Sequence, residues 1–273
     1  MTINLKGELI DLSQQKIMGI LNLTPDSFYD GGKFNSIDRA LTQTEKMITD
    51  GAFLIDLGAC STRPGADEVS EEEEKKRLYP ILEKLIDRFP NTHFSIDTYR
   101  ASIAKGSLSR GASMINDISG GQFDPAMMET VGRFSAPYVL MHIQGQPKEM
   151  HKDPAYKNVV QEVLYYFSEK IQQAYSLGIN DVIIDPGFGF GKTLQHNYEL
   201  IKNLELFQTL DQPLLVGVSR KSMIYKKLET TPDQALNGTT VLHTAAIIKG
   251  ANILRVHDIK EAKECIELLQ ALQ

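Results

Sequence analysis

Eight short apolar runs recur along this chain, mostly with a helical pattern between one and the next. They are IMGILNLT (17–24), FLIDLGA (53–59), HFSIDT (93–98), MINDIS (114–119), YVLMHI (138–143), VIIDPG (182–187), PLLVGVS (213–219) and NILRVH (252–257). Each is too short for an independent helix, and most are rich in Val, Ile, Leu and Met. That is the pattern of a strand buried on both faces of a parallel sheet. The intervening helical patterns include EEEEKKRLYPILEKLIDRF, YKNVVQEVLYYFSEKIQQAYS, DQALNGTTVLHTAAIIK and DIKEAKECIELLQALQ. Ser70 stands three residues before Glu73 and predicts a capping box at the start of the first. Its run Glu71 to Glu74 is expected to be a solvated helix start favoured by the helix dipole, and Pro80 should kink or divide the helix. Gly51, Gly111, Gly178 and Gly250 sit before alternate strands, where a left-handed helix cap is wanted. Pro90, Pro137 and Pro213 punctuate the others.

Eight βα units within 273 residues predict an α/β chain folded as a (β/α)8 TIM barrel, one domain spanning 1–273. The segment INLKGELIDL ahead of the first run predicts a small hairpin closing the lower end. An open doubly wound sheet is the alternative, and eight regular units favour closure.

In such a barrel chemistry gathers at the carboxyl ends of the strands. Those ends here carry Asn22; Asp56, with Thr62 and Arg63 just beyond; Asp97; Asn116 and Asp117; His142; Asp185; Ser219, Arg220 and Lys221; and Arg255 and His257. A polar residue at every exit predicts a pocket holding both carboxylates and cations. Asp97, Asn116 and Asp185 suit a flat heterocycle bearing amino and ring N–H donors. Arg63, Arg255 and His257, with the Asn22 amide, suit phosphate oxygens. Together they imply a heterocycle carrying a phosphate or diphosphate.

The tail of VIIDPGFGFGKT (182–193) looks like a phosphate-cradling loop, but the spacing rules that out. The pattern needs a glycine five positions before Gly191, and Pro186 stands there without a backbone N–H. Gly187, Gly189 and Gly191 alternate, which also fails the dinucleotide spacing.

The motifs GILNLTPDSF (19–28), DGG (30–32), STRPGA (61–66), IDT (96–98), NDISGG (116–121), DPGFGFGKT (185–193), GVSRKS (217–222) and LRVHD (254–258) resemble the dihydropteroate synthase family, in order and over nearly the whole chain. Tyr29, where the family often has a small polar residue, is the one departure noted. The resemblance implies condensation of a dihydropterin methyl diphosphate with 4-aminobenzoate. It implies that Asp185 pairs with the pterin, that the glycine loop approaches it, and that Lys221 hydrogen-bonds it. Asp97 would favour positive charge on the ring, and Asn116 would complete the pterin site. Arg63 and His257 would hold the diphosphate, while Arg255 would contact it and stack on the pterin. Thr62, Pro64, Phe190 and Ser222 would line the aminobenzoate site, and Thr62 would also contact the pterin diphosphate. The family also implies Mg2+ at the diphosphate with Asn22 as a ligand, and a homodimer built from late helices. The glycine- and proline-bearing loops 24–36 and 60–70 have the composition of lids. A pterin-binding methyltransferase, a Lys221 Schiff-base aldolase and a catalytically silent pterin binder are the competing functions.

Composition sets further bounds. A net charge of −6 argues against nucleic acid as a partner. No apolar stretch approaches the roughly 20 residues needed to cross a bilayer, so no membrane partner is expected. The N-terminus lacks a signal-peptide core, and the two cysteines suggest a reducing, cytoplasmic setting. Several residues also have bland readings. Asp56 either supports its neighbours or pairs with backbone, Asp117 makes a structural hydrogen bond, and His142 is a satisfied core histidine. Cys60 is a packed thiol, Met127 and Met128 are core, and His93, His151, His196 and His243 are surface or packing residues.

Overall fold

The structure, a computed structural model, describes residues 1–23, 32–60, 69–146, 150 and 154–272, without the side chains of 32–35. An antiparallel hairpin of β1 (Thr2–Leu5) and β2 (Glu8–Asp11) comes first. Eight parallel strands follow: β3 (Lys16–Asn22), β4 (Leu54–Gly58), β5 (His93–Asp97), β6 (Met114–Asp117), β7 (Tyr138–Met141), β8 (Val182–Asp185), β9 (Leu215–Val216) and β10 (Ile253–Val256). From β3 to β8 each strand pairs with the next in sequence, and β10 pairs with both β9 and β3. The ring is completed between β8 and β9 by one bridge, Ile184 to Leu214, and by the Ile184 N–H donating to the Pro213 carbonyl at 2.9 Å. The barrel is therefore closed, with a thin seam at that joint.

The helices are α1 (Gly32–Asp50), α2 (Glu71–Arg88), α3 (Ala101–Ser109), α4 (Met127–Arg133), α5 (Val159–Ser176), α6 (Leu194–Lys202), α7 (Ser222–Tyr225), α8 (Leu236–Ile248) and α9 (Ile259–Gln270). Their ends follow local chemistry. Ser70 accepts from the Glu73 N–H at 3.2 Å, and Asn158 accepts from that of Gln161 at 3.0 Å. Gly51, Gly111, Gly178 and Gly250 all have the positive φ of a left-handed cap, between 84° and 108°. Helix α2 runs undivided through Pro80. Its buried stripe of Leu78, Ile81, Leu82 and Leu85 fastens it to the barrel on both sides of the lost N–H.

Two expectations need correction here. Glu74 is not solvated: it is 1% exposed, accepts from Thr98 Oγ1 at 2.9 Å and pairs with the Arg100 guanidinium. Helical periodicity explains this, because Glu74 lies four residues before Leu78 on the inward stripe, whereas Glu71, Glu72 and Glu73 pair outside with Lys75 and Arg77. His196 is more than a packing residue, since it completes a reciprocal capping box with Thr193 at the start of α6.

Strand parity divides the barrel interior into two zones. Met18, Leu54, Met114, Val139, Ile183, Leu215 and Ile253 form an apolar floor, packed against Ile3, Leu5, Ile10 and Leu12 of the hairpin segment. The hairpin turns at Lys6 and Gly7, both with positive φ, which is the geometry that matches strand twist in a two-residue turn. With the floor built of hydrocarbon, the polar groups of the same interior face, Ser95 beside Met114 apart, stand at the opposite end. A separate layer of apolar side chains, Met127 and Met128 among them, fills the space between sheet and helices.

Candidate active site at the carboxyl ends of the strands

Moving two residues up a strand keeps a side chain on the same face. Above the floor residue Leu54 stands Asp56, above Met114 stands Asn116, above Ile183 stands Asp185 and above Ile253 stands Arg255. The same step on β9 reaches Gly217, which leaves a gap. A Cβ built on Gly217 would lie 3.8 Å from Lys221 Nζ and 3.9 Å from both Asp185 Oδ2 and Arg255 Cβ. One built on Gly58 would lie 3.6 Å from Asn22 Oδ1 and 3.7 Å from Asp97 Oδ2. These two glycines mark where the predicted residues of several strands converge.

Arg255 ties the groups together. Its Nε donates to Asp56 Oδ2 at 2.7 Å and its Nη2 to Asp97 Oδ2 at 2.8 Å. Asn116 Nδ2 donates to the same Asp56 oxygen at 2.9 Å. Asp56 is fully buried, and its Oδ2 is taken by Arg255 and Asn116, so its role is support. Burial opposes the Arg255 charge, but Asp56 and Asp97 together hold its pKa above the ordinary value. Burial raises Asp97 above the usual carboxylate range while Arg255 pulls the other way. Asp185 is likewise raised by burial and restrained by Lys221 and the Gly187 N–H. Lys221 is pushed down to about 8 by enclosure, with Asp185 opposing.

The loop after β8 is built around its glycines. Gly187, Gly189 and Gly191 have φ of 69°, 82° and 60°, a region costly for residues with a Cβ. A side chain on Gly187 would strike the His142 carbonyl oxygen, and one on Gly191 that of Gln144. The close approach the glycines permit here is thus to the chain leaving β7. Asp185 Oδ1 accepts from Gly187 N at 2.8 Å, Asn197 Oδ1 from Gly189 N at 2.7 Å, and the Gly191 carbonyl from Tyr156 Oη at 2.8 Å. Lys192, 5% exposed, turns inward to the carbonyls of Gly187 and Phe190 at 3.0 Å each, that of His142 at 3.2 Å, and His142 Nδ1 at 2.9 Å. Sequence reasoning left Lys192 without a role, although its failure to fit a phosphate loop was the available signal. Lys221 donates to the Phe188 carbonyl at 2.6 Å and stands 4.7 Å over the Phe190 ring.

The remaining strand-end residues sort clearly. His142 is a buried core histidine held by Lys192, and burial pushes its pKa well below the ordinary value. Asp117 accepts from Ser119, Gly121 and Tyr138 and is structural. Arg220 belongs elsewhere: with φ 55° it turns to a two-bond pair with Asp258 at 2.8 and 2.7 Å and to the carbonyls of Pro232 and Asp233. That pairing braces the segment from which Lys221 projects. Ser219 Oγ lies 3.1 Å from Nδ1 of His257, an exposed residue at the rim, and Ser222 opens α7. Cys60 is half-buried, and burial raises its thiol. Thr62, Arg63 and Pro64, with Tyr29, His151 and most of both lid segments, lie outside the described residues. Among the described residues no cluster of three His, Cys, Asp or Glu side chains could hold a metal, and no helix is long and apolar enough to cross a membrane.

A family model described as "Pterin binding enzyme" matches residues 18–257. The chain is 45% identical over 267 residues to the dihydropteroate synthase of Haemophilus influenzae, covering 97% of this chain and 96% of that one. It is 44% identical over 268 residues to that of Escherichia coli, covering 97% and 94%. A Yersinia pestis dihydropteroate synthase solved with a sulfonamide drug superposes with TM-score 0.92 at 43% identity, covering 100% and 98%. The Thermus thermophilus enzyme in complex with 4-aminobenzoate gives a TM-score of 0.90 at 36% identity, covering 100% of both chains.

Removing one member of a largely buried ion pair typically costs about 3–5 kcal/mol. Asp56→Ala should lose stability of that order in urea denaturation, and Asp56→Asn less, because an amide oxygen still accepts from Arg255. A loss under about 1 kcal/mol for the alanine variant would show that Asp56 does not carry the cluster.

Proposed function

The chain belongs to the dihydropteroate synthase family of pterin-binding enzymes, and on that premise we propose that its barrel mouth joins (7,8-dihydropterin-6-yl)methyl diphosphate to 4-aminobenzoate. The products are 7,8-dihydropteroate and diphosphate. The observation that carries this reading is the meeting of Asp185, Lys221 and Arg255 around Gly217, with Asp97, Asn116 and Asn22 on the same interior face. Acceptors for an aminopterin edge and donors for a diphosphate stand side by side.

The bond that breaks joins diphosphate to an exocyclic methylene, where an electron-rich dihydropterin can delocalise the developing cation. Diphosphate leaves first and the neutral aromatic amine then attacks the methylene, losing its proton to solvent. Catalysis reduces to holding the leaving group, favouring the cation and placing the amine. Asp185 takes the pterin amino and ring N–H groups, assisted by Asn116 and Lys221. Asp97 favours positive charge near the ring. Arg255, kept charged by two carboxylates, stacks on the pterin and reaches the diphosphate, which Arg63 and His257 also hold. Phe190, Ser222, Thr62 and Pro64 form the aminobenzoate face. Mg2+ would neutralise diphosphate charge, with Asn22 as its ligand. A lone amide oxygen beside Asp97, without a carboxylate cage among the described residues, fits a hard ion that keeps waters and shares phosphate oxygens.

The late helices support a homodimer. Helix α8, LNGTTVLHTAAII, is apolar around most of its surface, yet Val241 is 59% and Ile248 70% exposed. Such a helix is expected to be covered.

The central test is diphosphate release measured with and without 4-aminobenzoate. Release with the amine present should yield dihydropteroate in equal amount, and Asp185→Asn should weaken pterin binding by about 1.5–3 kcal/mol in calorimetry; release with no dihydropteroate formed, or unchanged affinity, would overturn the assignment. A second outcome concerns pH. The Lys221 ammonium, lowered to about 8, is charged below that value and loses its charge above it. Pterin affinity should therefore weaken as pH rises through about 8, an inflection that Lys221→Gln abolishes. Sedimentation should give a dimer for the parent chain and a monomer for Val241→Asp/Ile248→Asp; a monomeric parent would refute the assembly.

A further inference from the structure

Lys192 is the residue of the glycine motif that the proposed reaction leaves unused. Its nitrogen has four polar neighbours within 3.2 Å, three carbonyls that match its three protons and His142 Nδ1, and all four belong to the protein. It is therefore saturated and has no free proton for a phosphate. Burying an ammonium is costly, and an apolar side chain of similar length would often be as stable there or more so. What the charge adds is geometry. Two of its carbonyls, Gly187 and Phe190, lie on the same turn, which the Phe190 N–H closes on the Gly187 carbonyl at 3.1 Å. The other two contacts are the carbonyl and Nδ1 of His142, just past the end of β7. One side-chain nitrogen thus pins the turn bearing Phe190 to the neighbouring strand.

We propose that Lys192 is a positioning residue for the second substrate, fixing the Phe190 ring at the face that receives 4-aminobenzoate. This rests on the reading of Phe190 given above. Asp185 itself is set by β8 and by the Gly187 N–H; Lys192 bonds the Gly187 carbonyl, and its charge acts on Asp185 only after burial, Lys221, the Gly187 N–H and Arg255. Its effect should accordingly fall on the amine substrate more than on the pterin. Ring placement matters because a gap of about 0.5–1 Å already forfeits a quarter to a half of the dispersion attraction between packed faces.

The test is a cycle of Lys192→Met and Phe190→Ala, read as the KM for 4-aminobenzoate, with kcat and the calorimetric Kd for the pterin diphosphate alongside. Lys192→Met should raise the aminobenzoate KM roughly tenfold, with kcat and pterin Kd moving less than about threefold. In the Phe190→Ala background the same change should have less than about a twofold effect, because the ring it positions is gone. Multiplicative effects, or an unchanged KM in Lys192→Met, would overturn the proposal. If Phe190→Ala itself leaves the KM alone, the aminobenzoate reading of Phe190 fails instead, and the proposal with it. Should Lys192→Met not fold, Lys192→Gln serves, since its amide keeps a donor for the carbonyls of the turn but carries no charge. A threefold rise that vanishes with Phe190→Ala supports the proposal, and no rise sinks it.

Discussion

A single guanidinium between two carboxylates organises the mouth of this barrel. Arg255 reaches Asp56 on one strand and Asp97 on the next, and Asp56 in turn orients Asn116 on a third. Charges so enclosed survive only when paired and hydrogen-bonded. Each member therefore fixes the others, and the pocket is preorganised before any ligand arrives. The apolar floor makes this possible by confining water and charge to the opposite end. A ligand with a basic edge and an anionic tail meets surfaces whose signs are already set.

Much of this was legible because parallel strands obey a two-residue period. The runs containing Asp56, Asn116, Asp185 and Arg255 each place a polar residue two positions beyond a hydrophobic one, so membership of the interior face follows from counting. The left-handed caps at Gly51, Gly111, Gly178 and Gly250 were equally visible, since glycine alone takes that conformation without cost. Harder to see was which strand-end residue points where. Arg220 and Lys221 are adjacent and both cationic, yet a positive φ at Arg220 sends one to Asp258 and the other to the pocket. Nothing in local pattern signals that turn. Glu74 was missed for a different reason: four consecutive glutamates look uniform in composition, while helical phase buries one of them.

The glycine-rich segment shows how a familiar-looking string can serve another purpose. Its alternating glycines satisfy a backbone that packs against β7, and its lysine saturates main-chain carbonyls where a nucleotide loop would offer the side chain to phosphate. The absence of an N–H at Pro186 was enough to reject the nucleotide reading from sequence. The positive assignment depends on the fold, because the acceptors of Lys192 come partly from a residue fifty positions away.

The joint between β8 and β9 has one bridge where other neighbours share a longer ladder. Asp185 ends the strand on one side, and Lys221 follows the strand on the other. A molecule grasping both side chains would act as a stitch across the weakest line of the cylinder. Occupancy and wall stiffness would then rise and fall together, and the empty enzyme would breathe most where its cargo is held.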